Sequence, residues 1–181
     1  MVATHSLNST ASSVPVLYVA FELSSGLWKL ASTTARGQRA RVVSVQARSI
    51  ASVLKEIARA KARFGVAESA VVYSCYEAGR DGFWLDRCLH HHGINNVIVD
   101  SSSIEVNRRA RRAKADGLDA VSLVGLLARY CEGETNVWST VSVPDPADED
   151  QRQMHRELDQ LRRERTDHTN RVRGLDRKSV V

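Results

Sequence analysis

Short apolar runs separated by turn residues make up the first part of the chain after its polar start. Residues 16–23 (VLYVAFEL), 28–34 (WKLASTT) and 41–45 (RVVSV) are rich in β-branched and aromatic side chains, which is typical of strands. Gly26 and Gly37 lie in the polar segments between these runs and predict turns. Because turns this short join neighbouring antiparallel strands, the pattern predicts an antiparallel meander.

The apolar spacing then becomes helical. Residues 49–64 predict a helix that is capped by Ser49, ended by Gly65 and apolar on the face that carries Ile50, Val53, Leu54, Ile57 and Ala58. Further strands are predicted at 69–76 and 96–99, and further helices at 81–91 and 118–130. Since parallel strands need crossover helices, this order predicts an α/β fold: a mixed sheet with flanking helices, as in RNase H-like (RuvC-like) domains.

The composition changes after residue 135. Residues 136–150 include the Pro- and acid-rich segment VPDPADED, which predicts a linker and suits the start of a helix. A polar helix is predicted over 151–175, and its heptad positions favour a coiled coil, antiparallel or between chains: Met154, Leu158, Leu161, Arg165, His168, Val172 and Leu175. The alternative is a solvated helix that lies on the domain. The predicted organisation is a disordered lead (1–15), one domain (16–135), the linker and this coiled-coil-like helix.

The net charge and the cysteines indicate which partners and which cellular compartment to expect. The 181 residues carry a net charge of +5, with a pI of about 9.4, which favours an anionic partner and nucleic acid first. Cys75, Cys88 and Cys131 form no C-x-x-C pair, which indicates reduced thiols. The first residues lack the pattern of a signal peptide, and no apolar stretch reaches the ~20 residues of a membrane span. We therefore expect a cytoplasmic protein with no membrane partner.

Four acidic residues lie where a metal site in such a sheet would need them. Glu22 is in the first strand, Glu77 follows the fourth, and Asp116 and Asp119 are spaced for one face of a helix. Active sites of open sheets gather at the carboxyl ends of parallel strands, so neighbouring central strands would bring Glu22 and Glu77 together. Crowded carboxylates suit Mg²⁺ (or Mn²⁺) ions about 4 Å apart, the arrangement of two-metal phosphodiester cleavage.

Each of these features also has a structural explanation. Glu22 could be an edge residue or pair with an arginine, and Asp116 and Asp119 would stabilise a helix N-terminus. A basic stretch before the aspartates predicts phosphate contacts, with a solvated surface as the alternative: Arg108, Arg109, Arg111, Arg112 and Lys114. The histidines at 90–92 are consecutive and do not face one another on a helix, so dipole complementation at the helix end is favoured over metal binding.

Four segments, in chain order, resemble the motifs of one family. VAFELS resembles the first strand, YEAGRDGFWL the second motif, and RRAKADGLDAVSLVGLLA the third motif of the DEDD-type insertion-sequence transposases. Transposases of this kind, the IS-one-ten type, are relatives of the Piv invertase. Residues 143–175 resemble the helical segment that follows the catalytic domain in this family. The resemblance covers about residues 16–175 of the chain.

The resemblance implies a RuvC-like domain whose catalytic metal ligands are Glu22, Glu77, Asp116 and Asp119. The first acid is usually Asp in the family, and Glu stands there in this chain. Lys114 matches the lysine of the third motif, which implies a contact to a phosphate or a metal-bound group. The family further implies an Mg²⁺-dependent enzyme that cleaves and joins DNA under the guidance of an RNA.

The resemblance also implies that the chain is the N-terminal half of a longer transposase. The second half of the family's proteins carries the nucleophilic serine, and we assign that role to no serine of this chain. We therefore expect the fragment to be inactive alone and to form a homo-oligomer through its C-terminal helix. Two alternatives stay open: a non-catalytic nucleic-acid-binding module, and a stand-alone RNase H-like or junction nuclease.

The last residues depart from the family pattern. Residues 176–181 (DRKSVV) are a string that a common sequencing-adapter end encodes. We therefore expect a non-native tail at a truncated gene end, with a natural frameshift as the alternative, and assign this segment no fold or function.

Overall fold

A single mixed sheet organises the first part of the chain. The computed structural model describes residues 15–79, 83–104 and 120–176. The strands are β1 (Val16–Glu22), β2 (Leu27–Thr33), β3 (Arg41–Gln46), β4 (Val71–Glu77) and β5 (Asn95–Val99). The helices are α1 (Ile50–Phe64), α2 (Trp84–His91), α3 (Ala120–Cys131) and α4 (Pro146–Asp176), with short 3₁₀ turns at Ser101–Ser103 and Thr135–Val137.

The strand order is β3-β2-β1-β4-β5. The β1–β2 and β2–β3 pairs are antiparallel, whereas the β1–β4 and β4–β5 pairs are parallel. The predicted meander and the mixed α/β sheet with flanking helices are therefore confirmed. Helices α1 and α2 supply the crossovers that parallel neighbours require.

The first helix forms as its sequence predicts. The Ser49 hydroxyl accepts a hydrogen bond from the Ser52 amide, which satisfies one of the amides left unpaired at a helix start. Gly65 ends the helix in the left-handed conformation, with φ of 66°, where a side chain would be strained. Val53 and Ile57 of the predicted apolar face are buried together with Glu56 and Ala60, whereas Ala58, which was assigned to the same face, is exposed.

The two faces of the sheet are covered by different helices. One face packs against α3 through a buried cluster that includes Ala20, Cys75, Val99, Leu123 and Leu127. On the other face, side chains of β1, β2 and β3 meet α1 around a small cavity, which is lined in part by Val19, Leu30 and Ile57. Alternation along β1 therefore sends even-numbered residues toward α3 and odd-numbered residues toward α1.

The segment after α3 packs onto the sheet instead of forming the first part of a linker. The Asp100 amide donates to Ser139 O at 3.0 Å, and the Val141 amide donates to Ile98 O at 2.8 Å. Trp138 is only 5% exposed and its ring lies 5.5 Å from that of Tyr130. The first compact unit accordingly extends to Ser142, beyond the boundary at 135 that composition alone suggested.

The second unit consists of residues 143–181, and its described part is dominated by α4. The helix begins at Pro146, five residues before the predicted start, because Asp145 already caps it: its carboxylate accepts from the Asp148 amide at 3.0 Å. The predicted heptad residues Met154, Leu158 and Leu161 are 71%, 44% and 53% exposed. Pairing of this helix stays a prediction. Within the described residues, no helix has both the length and the apolar character that crossing a bilayer requires.

Candidate functional site

Glu22 and Glu77 end the two central strands of the sheet. The parallel β1–β4 register pairs Phe21 with Tyr76, so Glu22 and Glu77 are the next residues along neighbouring strands. Adjacent strands lie about 4.8 Å apart, and residues in register project to the same face. The structure thus brings these two predicted acids side by side at the carboxyl edge of the sheet.

Both acids belong to the face that α3 covers. Ala20 and Cys75 pack in the α3 cluster, and each lies two residues before one of the acids. Glu22 and Glu77 therefore follow the same alternation but stand beyond the packed core. Both are half-buried.

Helix α3 runs with its N-terminus toward this edge. The Cys75 thiol lies 3.9 Å from Leu123 O, near the start of the helix. Burial raises the pKa of the Tyr18 phenol, and the nearby Cys131 at the end of the helix raises it further. Arg36 in the β2–β3 turn pairs with Glu132 and Glu134 just after α3, and the preceding Thr33 lies opposite Tyr18 near the start of β1. The end of α3 therefore lies away from the acids and its beginning lies toward them.

Asp116 and Asp119, the other two predicted ligands, lie outside the described residues. In the chain, Asp119 directly precedes Ala120, the buried first residue of α3. The predicted basic residues also lie outside the described part: Arg108, Arg109, Arg111, Arg112 and Lys114.

Glu22 has a partner that the sequence interpretation did not name. The Lys29 Nζ lies 3.0 Å from Glu22 Oε1 and 3.2 Å from Oε2, and the register pairs the two residues directly across β1 and β2. The side chains of Lys29 and Glu22 are 53% and 38% exposed, and such pairs contribute roughly 0–1 kcal/mol. The ion pair therefore contributes little to the stability of the fold.

Glu77 acts electrostatically on the core beneath it. Burial raises the pKa of the Cys75 thiol well above its usual value, and the charges of Cys131 and Glu77 add to the rise. Burial in the core therefore favours the protonated thiol. Hard carboxylate oxygens of Glu22 and Glu77 are the donors that Mg²⁺ prefers, so the residues present fit that ion.

A further acid, Asp100, follows β5 at the same edge and was not singled out from the sequence. Its carboxylate accepts from the Ser102 amide at 2.9 Å and from the Ser102 hydroxyl at 2.8 Å. These bonds cap the 3₁₀ turn at Ser101–Ser103, which gives Asp100 a local structural role. The signal that could have identified it is its position immediately after a predicted parallel strand.

The described residues contain no group of three or more His, Cys, Asp or Glu side chains arranged to hold a metal ion. The histidines at 90–92 do not form one. His90 Nδ1 lies 2.9 Å from Asp86 O and 3.3 Å from Asp86 Oδ2, at the end of α2. A metal centre at the carboxyl edge would therefore need ligands beyond Glu22 and Glu77.

Comparison with known proteins yields one strong similarity. The chain is 38% identical over 164 residues to the protein "Putative transposase y4rJ" of Sinorhizobium fredii. The alignment covers 88% of this chain, which spans 41% of the length of that relative. No family model matches the chain. No solved structure matches it either.

Proposed function

We propose that this chain is the catalytic-acid portion of a transposase, which cleaves and transfers DNA strands of an insertion sequence with the help of Mg²⁺ or Mn²⁺. The observation that carries the proposal is the pair of glutamates, Glu22 and Glu77, at the carboxyl ends of adjacent parallel strands. The similarity to a protein named as a transposase, over 88% of this chain, supports the same class of reaction.

The fold proposed for this portion is RNase H-like. A central parallel pair, an antiparallel extension on one side and a helix covering the acidic face are consistent with it. In this proposal Glu22, Glu77, Asp116 and Asp119 hold the metal. Asp116 and Asp119 precede α3, the helix whose N-terminus is directed to the carboxyl edge.

A metal held by these carboxylates would supply activation of the attacking oxygen and stabilisation of the leaving oxygen of the phosphodiester. The residues of the chain prepare the site for it. Glu22, which pairs with Lys29, would hold the cation in place of that lysine, and the Lys29 ammonium would then be available to the phosphate of the substrate. Lys114 and the neighbouring arginines hold the DNA backbone, because phosphate contacts fix the register of a nucleic acid without reading its sequence.

Guide RNA and self-association complete the proposal. The resemblance of the four motifs supports an RNA-guided enzyme, and the exposed heptad residues of α4 support association of copies through that helix. Since the chain spans 41% of its relative, strand transfer is assigned to the longer protein, and metal binding to this portion.

Calorimetric titration with Mn²⁺ tests the metal site. We expect binding by the native chain and its loss in Glu77→Gln and in Asp116→Ala/Asp119→Ala. Glu68→Gln is the matched control, because Glu68 is exposed in the loop before β4, at the opposite edge of the sheet. Equal binding by all four proteins would contradict the proposed site.

A non-catalytic nucleic-acid-binding module is the second candidate. The ion pair between Glu22 and Lys29 favours it, because that pair neutralises one predicted ligand without a metal. This candidate predicts that duplex binding has no metal dependence and survives the Asp116→Ala/Asp119→Ala replacement. Metal-dependent binding would exclude it.

A further inference from the structure

Positive charge is concentrated in the segment that runs from the β2–β3 turn through β3 to the end of α1. Residues 36–63 carry eight basic side chains and one acidic side chain, a net charge of +7, whereas the whole chain carries +5. The rest of the chain is therefore slightly acidic. The basic residues lie in the β2–β3 turn, in and just after β3, and in α1: Arg36, Arg39, Arg41, Arg48, Lys55, Arg59, Lys61 and Arg63.

Two of these cations already have structural roles. Arg36 forms ion pairs with Glu134 and Glu132 after α3. Lys61 Nζ donates to the backbone carbonyls of Glu68 at 2.6 Å and Ala70 at 2.8 Å, and so holds the loop that leads into β4. These two residues therefore stabilise the fold and are not assigned to ligand binding.

A buried carboxylate positions two of the remaining arginines. Glu56 is 7% exposed, and its two oxygens each lie 3.6 Å from a guanidinium nitrogen, one of Arg59 and one of Arg63. One negative charge thus faces two positive ones, so a net positive charge remains. The anchor also limits the motion of both side chains, which lowers the entropy lost when they bind an anion.

The edge strand β3 adds to the same surface. Glu56 lines a small cavity together with Ser32 and Val43, and the register pairs Ser32 with Arg41. Arg41 lies two residues before Val43, so the alternation directs it to the α1 side. Arg39 is exposed in the preceding turn, and Lys55 is exposed one helical turn before Arg59.

The chemistry of this surface favours a polyanion with regularly spaced charges. Within the described strands β3 pairs only with β2, so its outer amides face outward beside the arginines. Membrane insertion is disfavoured because the apolar side chains of α1, Val53 and Ile57, are buried against the sheet. Val42 in β3 is 42% exposed, but it alternates with Arg41 and so faces the other side of the sheet. A cluster of basic side chains is typical of contacts to a nucleic-acid backbone.

We propose that the β3–α1 basic surface, formed by Arg39, Arg41, Lys55, Arg59 and Arg63, binds the phosphate backbone of a nucleic-acid duplex. It lies two strands away from β1 in the sheet and is separate from the acidic carboxyl edge. The inference deepens the proposed function, since it rests on nucleic acid as the partner. It assigns the duplex a second contact surface besides the predicted basic stretch at 108–114.

Duplex binding by the full chain, measured by fluorescence anisotropy over a range of salt concentrations, tests the proposal. The variant Arg39→Gln/Arg41→Gln/Lys55→Gln spares both partners of Glu56. If each residue neutralises one phosphate, the slope of log K against log salt falls by about 2 to 3, and affinity falls on the order of tenfold or more. Arg163→Gln/Arg171→Gln/Arg173→Gln on the exposed α4 removes the same charge and is the matched control.

The expected result is a large loss in the β3–α1 variant and less than a twofold change in the α4 control. Unchanged binding in the first variant, an equal loss in both, or binding of phosphatidylserine vesicles in place of duplexes would each overturn the proposal. DNA and RNA duplexes are titrated in parallel to identify the ligand. Thermal unfolding checks that each variant is folded. If the triple variant does not fold, the single variant Arg41→Gln is used instead, and its slope of log K against log salt should fall by about 1.

The outcomes separate this inference from the proposed function. Glu77→Gln should lose Mn²⁺ binding and keep duplex binding. Absence of a metal site in the native chain would overturn the proposed catalytic role alone, whereas insensitivity of duplex binding to the β3–α1 substitutions would overturn the basic surface alone.

Discussion

Helices α3 and α4 both carry leucines at helical spacing, yet their surroundings differ. In α3, Leu123 and Leu127 are 1% and 0% exposed against the sheet. In α4, Leu158 and Leu161 are 44% and 53% exposed. An apolar stripe therefore indicates only that a helix needs a packing partner. Whether the partner is the chain's own sheet or another surface is decided by the fold.

The largest expected effect is a core substitution compared with its exposed counterpart. Leu127→Ala should lower the free energy of unfolding by about 2–5 kcal/mol, because it leaves a cavity between α3 and the sheet. Leu161→Ala in α4 should change it by less than about 0.5 kcal/mol at protein concentrations where the chain is monomeric. Urea unfolding measures both. A large loss in Leu161→Ala that depends on protein concentration would show that α4 is paired in solution.

The second expected effect concerns a row of buried hydrogen-bonded side chains in the first unit, the one that contains the sheet. Ser74 Oγ donates to Asn96 Oδ1 at 2.7 Å, and Asn96 Nδ2 donates to Asp86 Oδ1 at 2.7 Å. Asn96→Ala leaves both partners buried without this bond, which should cost about 1–3 kcal/mol of unfolding free energy. Asn170→Ala on α4 is exposed and serves as control. Equal stability of the two variants would contradict a stabilising role of the Asn96 hydrogen bonds.

The third effect is a loss of stability at alkaline pH that originates in the first unit. Burial, followed by the charge of Glu132, raises the pKa of Cys131 from its ordinary 9.0 to about 12. Above the ordinary value the unfolded thiol ionises while the folded thiol keeps its proton. Its stabilising contribution is therefore complete below that value and declines as pH rises toward the folded pKa.

The Cys131→Ala variant should remove this dependence. Between about pH 8 and pH 10.5 the native chain should lose roughly 1–2 kcal/mol more unfolding free energy than the variant. Helix α4 contains no cysteine or tyrosine, so this contribution belongs to the sheet unit. Parallel pH profiles of the two proteins would contradict the raised pKa of Cys131.

The smallest expected change in unfolding free energy is that caused by breaking either of two surface ion pairs. Lys29→Gln removes the partner of Glu22, and Arg162→Gln removes the partner of Asp159 on α4, whose atoms lie 3.4 Å apart. Each should change the unfolding free energy by less than about 1 kcal/mol, since both pairs are solvent-exposed. Lys29→Gln alone should alter the affinity for Mn²⁺. An equal change of metal affinity in Arg162→Gln would place the effect outside the carboxyl edge.

Most of the local structure was predictable because local rules decide it. The strands were anticipated from β-branched runs, and α1 from its cap, its apolar face and Gly65. The early start of α4 at Pro146 was missed, although Asp145 is an ordinary capping residue. The packing of Trp138 could not be derived from residues 136–142 alone, because it depends on hydrogen bonds to the distant β5.

The candidate site also contains features that were predictable from the sequence and features that were not. The choice of Glu22 and Glu77 came from their positions at strand ends, and the register places them side by side. The ion pair of Glu22 with Lys29 and the capping role of Asp100 required the tertiary structure. Asp116 and Asp119 lie outside the described residues and remain predictions.

The element types, the helix caps and the acidic and basic residues followed from local sequence, because periodicity, capping and charge are properties of neighbouring positions. The three-dimensional fold decided which leucines are buried and which side chain pairs with Glu22. Those outcomes depend on strand order and helix direction, which join residues far apart in the chain. Burial and electrostatic interaction act across space, so they cannot be derived from a run of neighbours.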